Sequence, residues 1–275
     1  MKISYKHIVV LLFILLFSRV GAQNLLNTSG AKAEGMGNAA VTNDDAWSLY
    51  NNVGGLASVD NTAILVSYKN RFGLKELSTI SAGGVIPFDF GIVGVSITHF
   101  GSNIFSQNNI GLAYGNKFGN TSLGIKVNYL NYTIEGYGSK GTFTLEVGGI
   151  TEIIPQLWVG AHIYNITQSK ILSQADSDIP TIFKAGISYR PIDVLLLNVE
   201  VQKELGFDSH TKIGLSYRLK QKFFVRAGIQ TNPFKNSFGL GYDSGKLAVD
   251  YAFGNHPILG FSHHISVLYT LSEKK

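Results

Sequence analysis

The sequence has no cysteine, only six prolines and little charge: Asp, Glu, Lys and Arg make up 15% of its 275 residues. Without cysteine there is no disulfide framework, no thiolate metal site and no cysteine nucleophile. A soluble domain carries charge on roughly a quarter of its residues, so this surface is poor in charge. Neither sign dominates. The formal charge of +5 includes Lys2, Lys6 and Arg19 of a leader described below, and without them 20 basic residues stand against 18 acidic ones. That balance excludes a nucleic-acid footprint. Beyond the leader, no stretch approaches the ~18 consecutive apolar residues of a membrane-spanning helix.

Residues 1–22 read as a secretory signal. Lys2 and Lys6 form a positive start, Ile8 to Phe17 is an unbroken apolar core, and Val20-Gly21-Ala22 supplies small residues for cleavage before Gln23. Ten apolar residues span about 15 Å as a helix, half the thickness of a bilayer core, so a retained anchor is disfavoured. No cysteine follows the leader, which excludes a lipoprotein. An exported chain without helical spans is either a soluble β-protein or an outer-membrane barrel.

The pattern along the chain decides. From residue 61 onward apolar and polar residues alternate with a period of two, which a helix of period 3.6 cannot use. Leu123, Ile125, Val127 and Tyr129 share one face, against Ser122, Gly124, Lys126 and Asn128 on the other. Leu195, Leu197, Val199 and Val201 repeat the pattern, as do Leu247, Val249, Tyr251 and Phe253. The alternation predicts fourteen strands, at 62–70, 75–86, 90–100, 106–116, 121–133, 142–153, 157–166, 181–190, 194–203, 209–218, 222–231, 235–242, 246–253 and 260–271. All six prolines fall between or at the ends of these runs, as residues that cannot donate to a ladder must. Tight turns such as 87–89, 155–156, 191–193, 219–221 and 243–245 alternate with longer connections at 134–141, 167–180, 204–208 and 254–259. Outer-membrane barrels alternate short periplasmic turns with longer external loops in this way. Tyr68, Tyr114, Tyr132, Tyr189, Tyr217, Tyr242, Tyr251 and Tyr269 stand near strand ends, where interfacial girdles form. The expected fold is an all-β, single transmembrane antiparallel barrel.

Residues 23–60 differ: they are small, polar and without a clean period. They contain Gly30-Ala31-Lys32-Ala33-Glu34-Gly35-Met36-Gly37, then Asp44-Asp45-Ala46-Trp47-Ser48-Leu49-Tyr50-Asn51-Asn52-Val53-Gly54-Gly55-Leu56-Ala57. This stretch resembles the N-terminal signature of the FadL-like barrels, and especially of their PorV/PorQ branch. The C-terminal Val249 to Phe253 and Leu259 to Ser266 resemble the closing hairpin of that branch. The resemblance implies an N-terminal hatch over 23–60 inside a barrel formed by 61–275. Gly35, Met36, Gly37, Asp44, Asp45, Asn52 and Gly55 would carry the hatch motif. Val53-Gly54 stands where the family has Pro-Ala, which removes a rigid φ and is expected to loosen that turn.

Chemistry of the ordinary catalytic kinds is not encoded. The glycines of 30–37 lack the Gly-Lys-Ser/Thr ending of a phosphate loop. Asp44-Asp45 is read as a solvated pair rather than a cation site. Six mature histidines are scattered, and no nucleophile elbow is found; Ser266 and His264 share a face, as chance allows in any barrel. No enzyme activity, cofactor or metal is expected. The residues expected to line the lumen are Lys126, Glu146, Trp158, His162, Lys184, Glu200, Lys212, Arg218, Phe224, Arg226, Lys246 and Asp250. Trp158, Phe224 and Leu268 are also candidates for a small greasy pocket. With 23–60 available as a plug, a filled lumen is expected rather than an open pore.

Two functions follow from the resemblance. One is an accessory barrel of type IX secretion, acting through contacts with protein partners of a secretion complex or its cargo. The other is a FadL-like channel for small hydrophobic molecules, against which a lumen packed solid by 23–60 would count. Either would sit in outer-membrane lipid and bind no nucleic acid.

Overall fold

The computed structural model describes residues 28–171 and 179–271; the predicted leader, residues 1–22, lies outside the described residues. Fourteen antiparallel strands close on themselves in sequence order, the last pairing with the first. They are β1 (Ala63–Arg71), β2 (Leu74–Phe88), β3 (Gly91–Gly101), β4 (Phe105–Phe118) and β5 (Thr121–Ile134). Next come β6 (Gly138–Ile154), β7 (Leu157–Tyr164), β8 (Ile182–Ile192), β9 (Leu195–Glu204) and β10 (His210–Leu219). The barrel ends with β11 (Phe223–Gln230), β12 (Lys235–Asp243), β13 (Leu247–His256) and β14 (Gly260–Thr270). An even strand number brings the start of β1 and the end of β14 to one rim. That rim carries turns of two or three residues, and the opposite rim carries the long connection 165–181. By the loop-length rule the first rim faces the periplasm.

The alternation sorts side chains as lipid requires. Val95 and Ile97, Ile110 and Leu112, and Leu123, Ile125 and Val127 are exposed on the outer face of β3, β4 and β5. Their neighbours Ser96, Thr98, Asn109, Lys126 and Asn128 point inward and are buried. A water-soluble protein does not expose contiguous apolar surface on this scale; a barrel in a bilayer must.

Two expected loops are largely strand. β5 and β6 continue to Ile134 and Gly138, so 134–141 contracts to a three-residue turn, and β13 runs on to His256. Polar residues past the bilayer extend a ladder as readily as apolar ones, because the backbone makes the bonds. Seven of the eight singled-out tyrosines are exposed on the outer face, whereas Tyr132 is half-buried on the side of Leu130 and accepts a hydrogen bond from Gln107 Nε2 at 2.7 Å.

Residues 28–60 lie inside the barrel. They form α1 (Ala31–Gly35), α2 (Ser48–Asn51) and a 3-10 helix (Val53–Ser58), joined by turns. These helices are too short to stand alone, and the wall holds them. Against β1–β4 an apolar cluster forms: Trp47, Leu49, Tyr50, Val53 and Leu56 pack with Leu65, Val85, Ile92 and Ala113. Gly54 lies so close to Gly149 that a Cβ on it would sit 2.5 Å from the Gly149 Cα. The Val53-Gly54 departure therefore does not loosen the turn; it permits backbone-to-backbone contact that alanine would block. A second apolar cluster, Leu130, Tyr164, Ile179 and Ile182, fills the lumen by the end of β7 and the start of β8.

Candidate functional site

The inward face of β5–β10 carries a belt of buried charge at mid-height. Lys126 faces Glu146 across β5–β6, His162 faces Lys184 across β7–β8, and Glu200 faces Lys212 across β9–β10. Single strands project these residues because each occupies the polar phase of the alternation. Burying such charges costs several kcal/mol per ion unless each is paired and hydrogen-bonded. Here each acid is served. Glu146 accepts from Asn128 Nδ2 at 2.6 Å and lies 3.0 Å from His162 Nε2 and 3.7 Å from Lys126 Nζ. Glu200 pairs with Lys212 Nζ at 2.7 Å.

The belt holds the plug by its backbone. Ala40 and Val41 both donate their N–H to Glu200 Oε2 at 2.8 Å. Lys126 Nζ donates to the Leu49 carbonyl at 2.9 Å, and Asn198 Nδ2 to that of Ala39 at 2.8 Å. Lys184 Nζ reaches the Asn51 carbonyl at 3.4 Å. On the other side of the barrel Ala31 N–H donates to Ser266 Oγ at 2.9 Å, and Glu34 of α1 pairs with Lys69. Burial alone would push the Glu34 carboxyl up, but Lys69, His264 and Arg71 around it prevail and hold it down at about 2. Tyr50, whose hydroxyl donates to the Ala82 carbonyl at 2.6 Å, is pushed well above the usual phenol range by burial.

The residues expected to carry a hatch motif all lie in the plug. Met36 and Gly37 press on Gly214 and Gly228, where a Cβ on Gly228 would sit 2.1 Å from the Gly37 nitrogen. Gly37 itself has φ +64°, a left-handed conformation that glycine adopts without strain. Gly35 abuts Gly239, and Gly55 lies against Ser48 and the Asn43 carbonyl. Asn52 Nδ2 donates to the Val41 carbonyl at 2.6 Å and to that of Gly149 at 3.2 Å. The two aspartates are not free in solvent as expected from sequence: Asp44 pairs with Arg190 at 3.0 Å and Asp45 with Lys32 at 2.6 Å.

Below the plug, at the periplasmic rim, a cavity of about 920 Å³ opens between plug and wall. Trp158, Arg218, Phe224, Arg226, Asp250 and Leu268 all line it. The Arg190 guanidinium lies 4.2 Å above the Trp158 ring and that of Arg226 lies 5.2 Å above Phe224. Arg226 pairs with Asp250 at 2.6 Å. The twelve lining candidates thus divide. Lys126, Glu146, His162, Lys184, Glu200 and Lys212 meet the plug or one another, five others border the cavity, and Lys246 is exposed in the turn after β12. The alternation was extended one residue too far there. Sequence reading missed the Glu34–Lys69 pair, whose members lie far apart in the chain, and Arg190, which sits beside Pro191 at the end of β8. Among the described residues no three His, Asp or Glu side chains are grouped to hold a metal ion.

A closed fourteen-stranded barrel, apolar outside and polar within and holding an internal plug, is an outer-membrane β-barrel. Solved structures share this fold. The Ralstonia pickettii toluene transporter TbuX superposes with a TM-score of 0.70 at 11% identity, covering 90% of this chain and 99% of that one. The CymD monoaromatic hydrocarbon channel gives 0.67 at 13% identity, covering 92% and 100%. A Pseudomonas aeruginosa FadL homologue gives 0.64 at 13%, covering 89% and 99%. No family model matches the sequence, and no curated protein matches it. The fold is thus that of the FadL-type barrels.

Proposed function

We propose that the protein is a non-enzymatic conduit for small hydrophobic molecules across the outer membrane, with the cavity at the periplasmic mouth as a binding station. The observation that carries this reading is the cavity itself: about 920 Å³, with Trp158, Phe224 and Leu268 on its wall. Small-molecule sites are concave, of this size, and mix apolar rings with a few placed polar groups. The shared fold supports the same reading, because proteins named as toluene transporters and as a monoaromatic hydrocarbon channel have it. The packed middle of the lumen means that passage requires the plug to shift. On β5–β10 its hold is suited to that, since the wall there bonds plug backbone through hydrogen bonds that reform on return.

The chain's two tryptophans, Trp47 and Trp158, both line the cavity, so their emission reports on it. Titrating toluene into the protein in lipid nanodiscs is expected to change that emission saturably beyond the change in empty nanodiscs. A strictly linear response equal to that of the free lipid overturns the reading.

The second reading is a PorV/PorQ-like accessory role in type IX secretion, exerted through the rim on protein partners or cargo. The Gly35-Met36-Gly37 signature and the solid packing of the plug at mid-lumen favour it. Gene deletion separates the two: a loss of type IX cargo secretion with unchanged hydrocarbon uptake supports the secretion role, and the converse removes it.

A further inference from the structure

The charges of the mouth cavity are unequally committed. Arg190, Arg226 and Lys32 each have a carboxylate partner, Asp44, Asp250 and Asp45. Arg218 has none among the described residues. It is half-buried on the inner face of β10, and its guanidinium donates to the Asp193 carbonyl at 3.1 Å. That single bond leaves donors of a five-donor fork for other acceptors. The aspartates of the cavity without a cation partner, Asp60, Asp193 and Asp243, are exposed in loops or at a strand end, where water screens them. Of the cations lining the cavity, Arg218 is thus the one without a carboxylate partner among the described residues.

Arg218 stands directly opposite Phe224 in the β10–β11 ladder, and Leu196 faces Ser216 in the adjoining β9–β10 ladder. Both Phe224 and Leu196 border the cavity with Trp158 and Leu268. Arg218 thus borders the same cavity as this ring and aliphatic surface. A planar carboxylate matches a guanidinium edge with two parallel hydrogen bonds, which a neutral hydrocarbon cannot make. Resting on the conduit reading above, we infer that the mouth cavity is selective for aromatic carboxylates, with the acid at Arg218 and the ring against Phe224 and Leu196. The pairing also gives the site a preference between molecules of one shape, because a charged fork left without its acceptor is penalised.

The test uses the full mature barrel in nanodiscs, with benzoate and its neutral isostere benzamide as probes and tryptophan emission as the readout. Benzoate is expected to bind at least tenfold more tightly than benzamide. Arg218→Gln is expected to erase that ratio by weakening benzoate far more than benzamide, and Arg218→Lys to retain part of it. Cyclohexanecarboxylate separates an aromatic site from a general anion site and is expected to bind more weakly than benzoate. Equal binding of benzoate and benzamide, or an unchanged ratio in Arg218→Gln, overturns the inference while leaving the conduit reading intact. Absence of saturable binding by toluene, benzoate and benzamide alike overturns both. The heat-dependent shift of the barrel on gels and its far-ultraviolet dichroism establish that each variant is folded.

Discussion

The plug meets the wall in two chemically different ways. On β1–β4 the contact is mostly apolar, built by Leu49, Val53 and Leu56 on Leu65, Val85 and Ile92, with the Glu34–Lys69 pair added on β1. On β5–β10 it is ionic, built by Glu200, Lys126 and Lys184 on plug backbone. An apolar contact gains from any close approach and says little about registration. A carboxylate that accepts two consecutive N–H groups fixes the position of Ala40 and Val41 to a fraction of an ångström. The apolar side supplies adhesion and the ionic side supplies placement.

Breaking the ionic side should cost most. In Glu200→Ala, Lys212 is left buried without its partner and two plug N–H groups lose their acceptor; the loss is expected to be about 3–5 kcal/mol. Urea titration of Trp47 emission in a Trp158→Phe background measures it. Leu49→Ala on the apolar side removes a fully buried side chain and is expected to cost about 3 kcal/mol, with the midpoint shifted and the N–H groups of residues 40 and 41 still protected. If the two variants unseat the same residues, the division of labour is wrong.

The smallest effect sharpens the comparison through pH. Glu34 ordinarily titrates near 4.5 and is held at about 2 in the seated plug. A depressed carboxyl contributes stability that is complete above its ordinary value and is lost as pH falls through the lowered one. The α1 seat is therefore expected to be indifferent to pH from 7 to 5 and to weaken between 4.5 and 2. Trp47 packs on Gly30 at the start of α1, and its emission should shift red over that range. In Glu34→Gln this component of the shift should vanish.

Much of this was legible in the chain. The phase of Leu195, Leu197, Val199 and Val201 against Asn198 and Glu200 already assigns every side chain of β9 to lipid or lumen, because a strand has only two faces. The same argument placed Lys126, Glu146, Lys184 and Lys212 inside. It failed where phase stops governing. The hairpin at 134–141 is polar and glycine-rich on both faces, so nothing in its composition tells a zipped ladder from a loop. Tyr132 is amphipathic enough to serve at a girdle or, as here, in the lumen. The partners of Glu34, Asp44 and Asp45 depend on how a segment without periodicity folds back into the barrel, and no local spacing encodes that.

Hydrogen exchange of the mature protein in a bilayer tests the central claim most directly. With the plug seated as described, amides between residues 30 and 56 should be protected to the same degree as those of the central strands, Ala40 and Val41 among the slowest. Exchange of that segment at the rate of an unstructured peptide, with the strands still protected, would contradict the account.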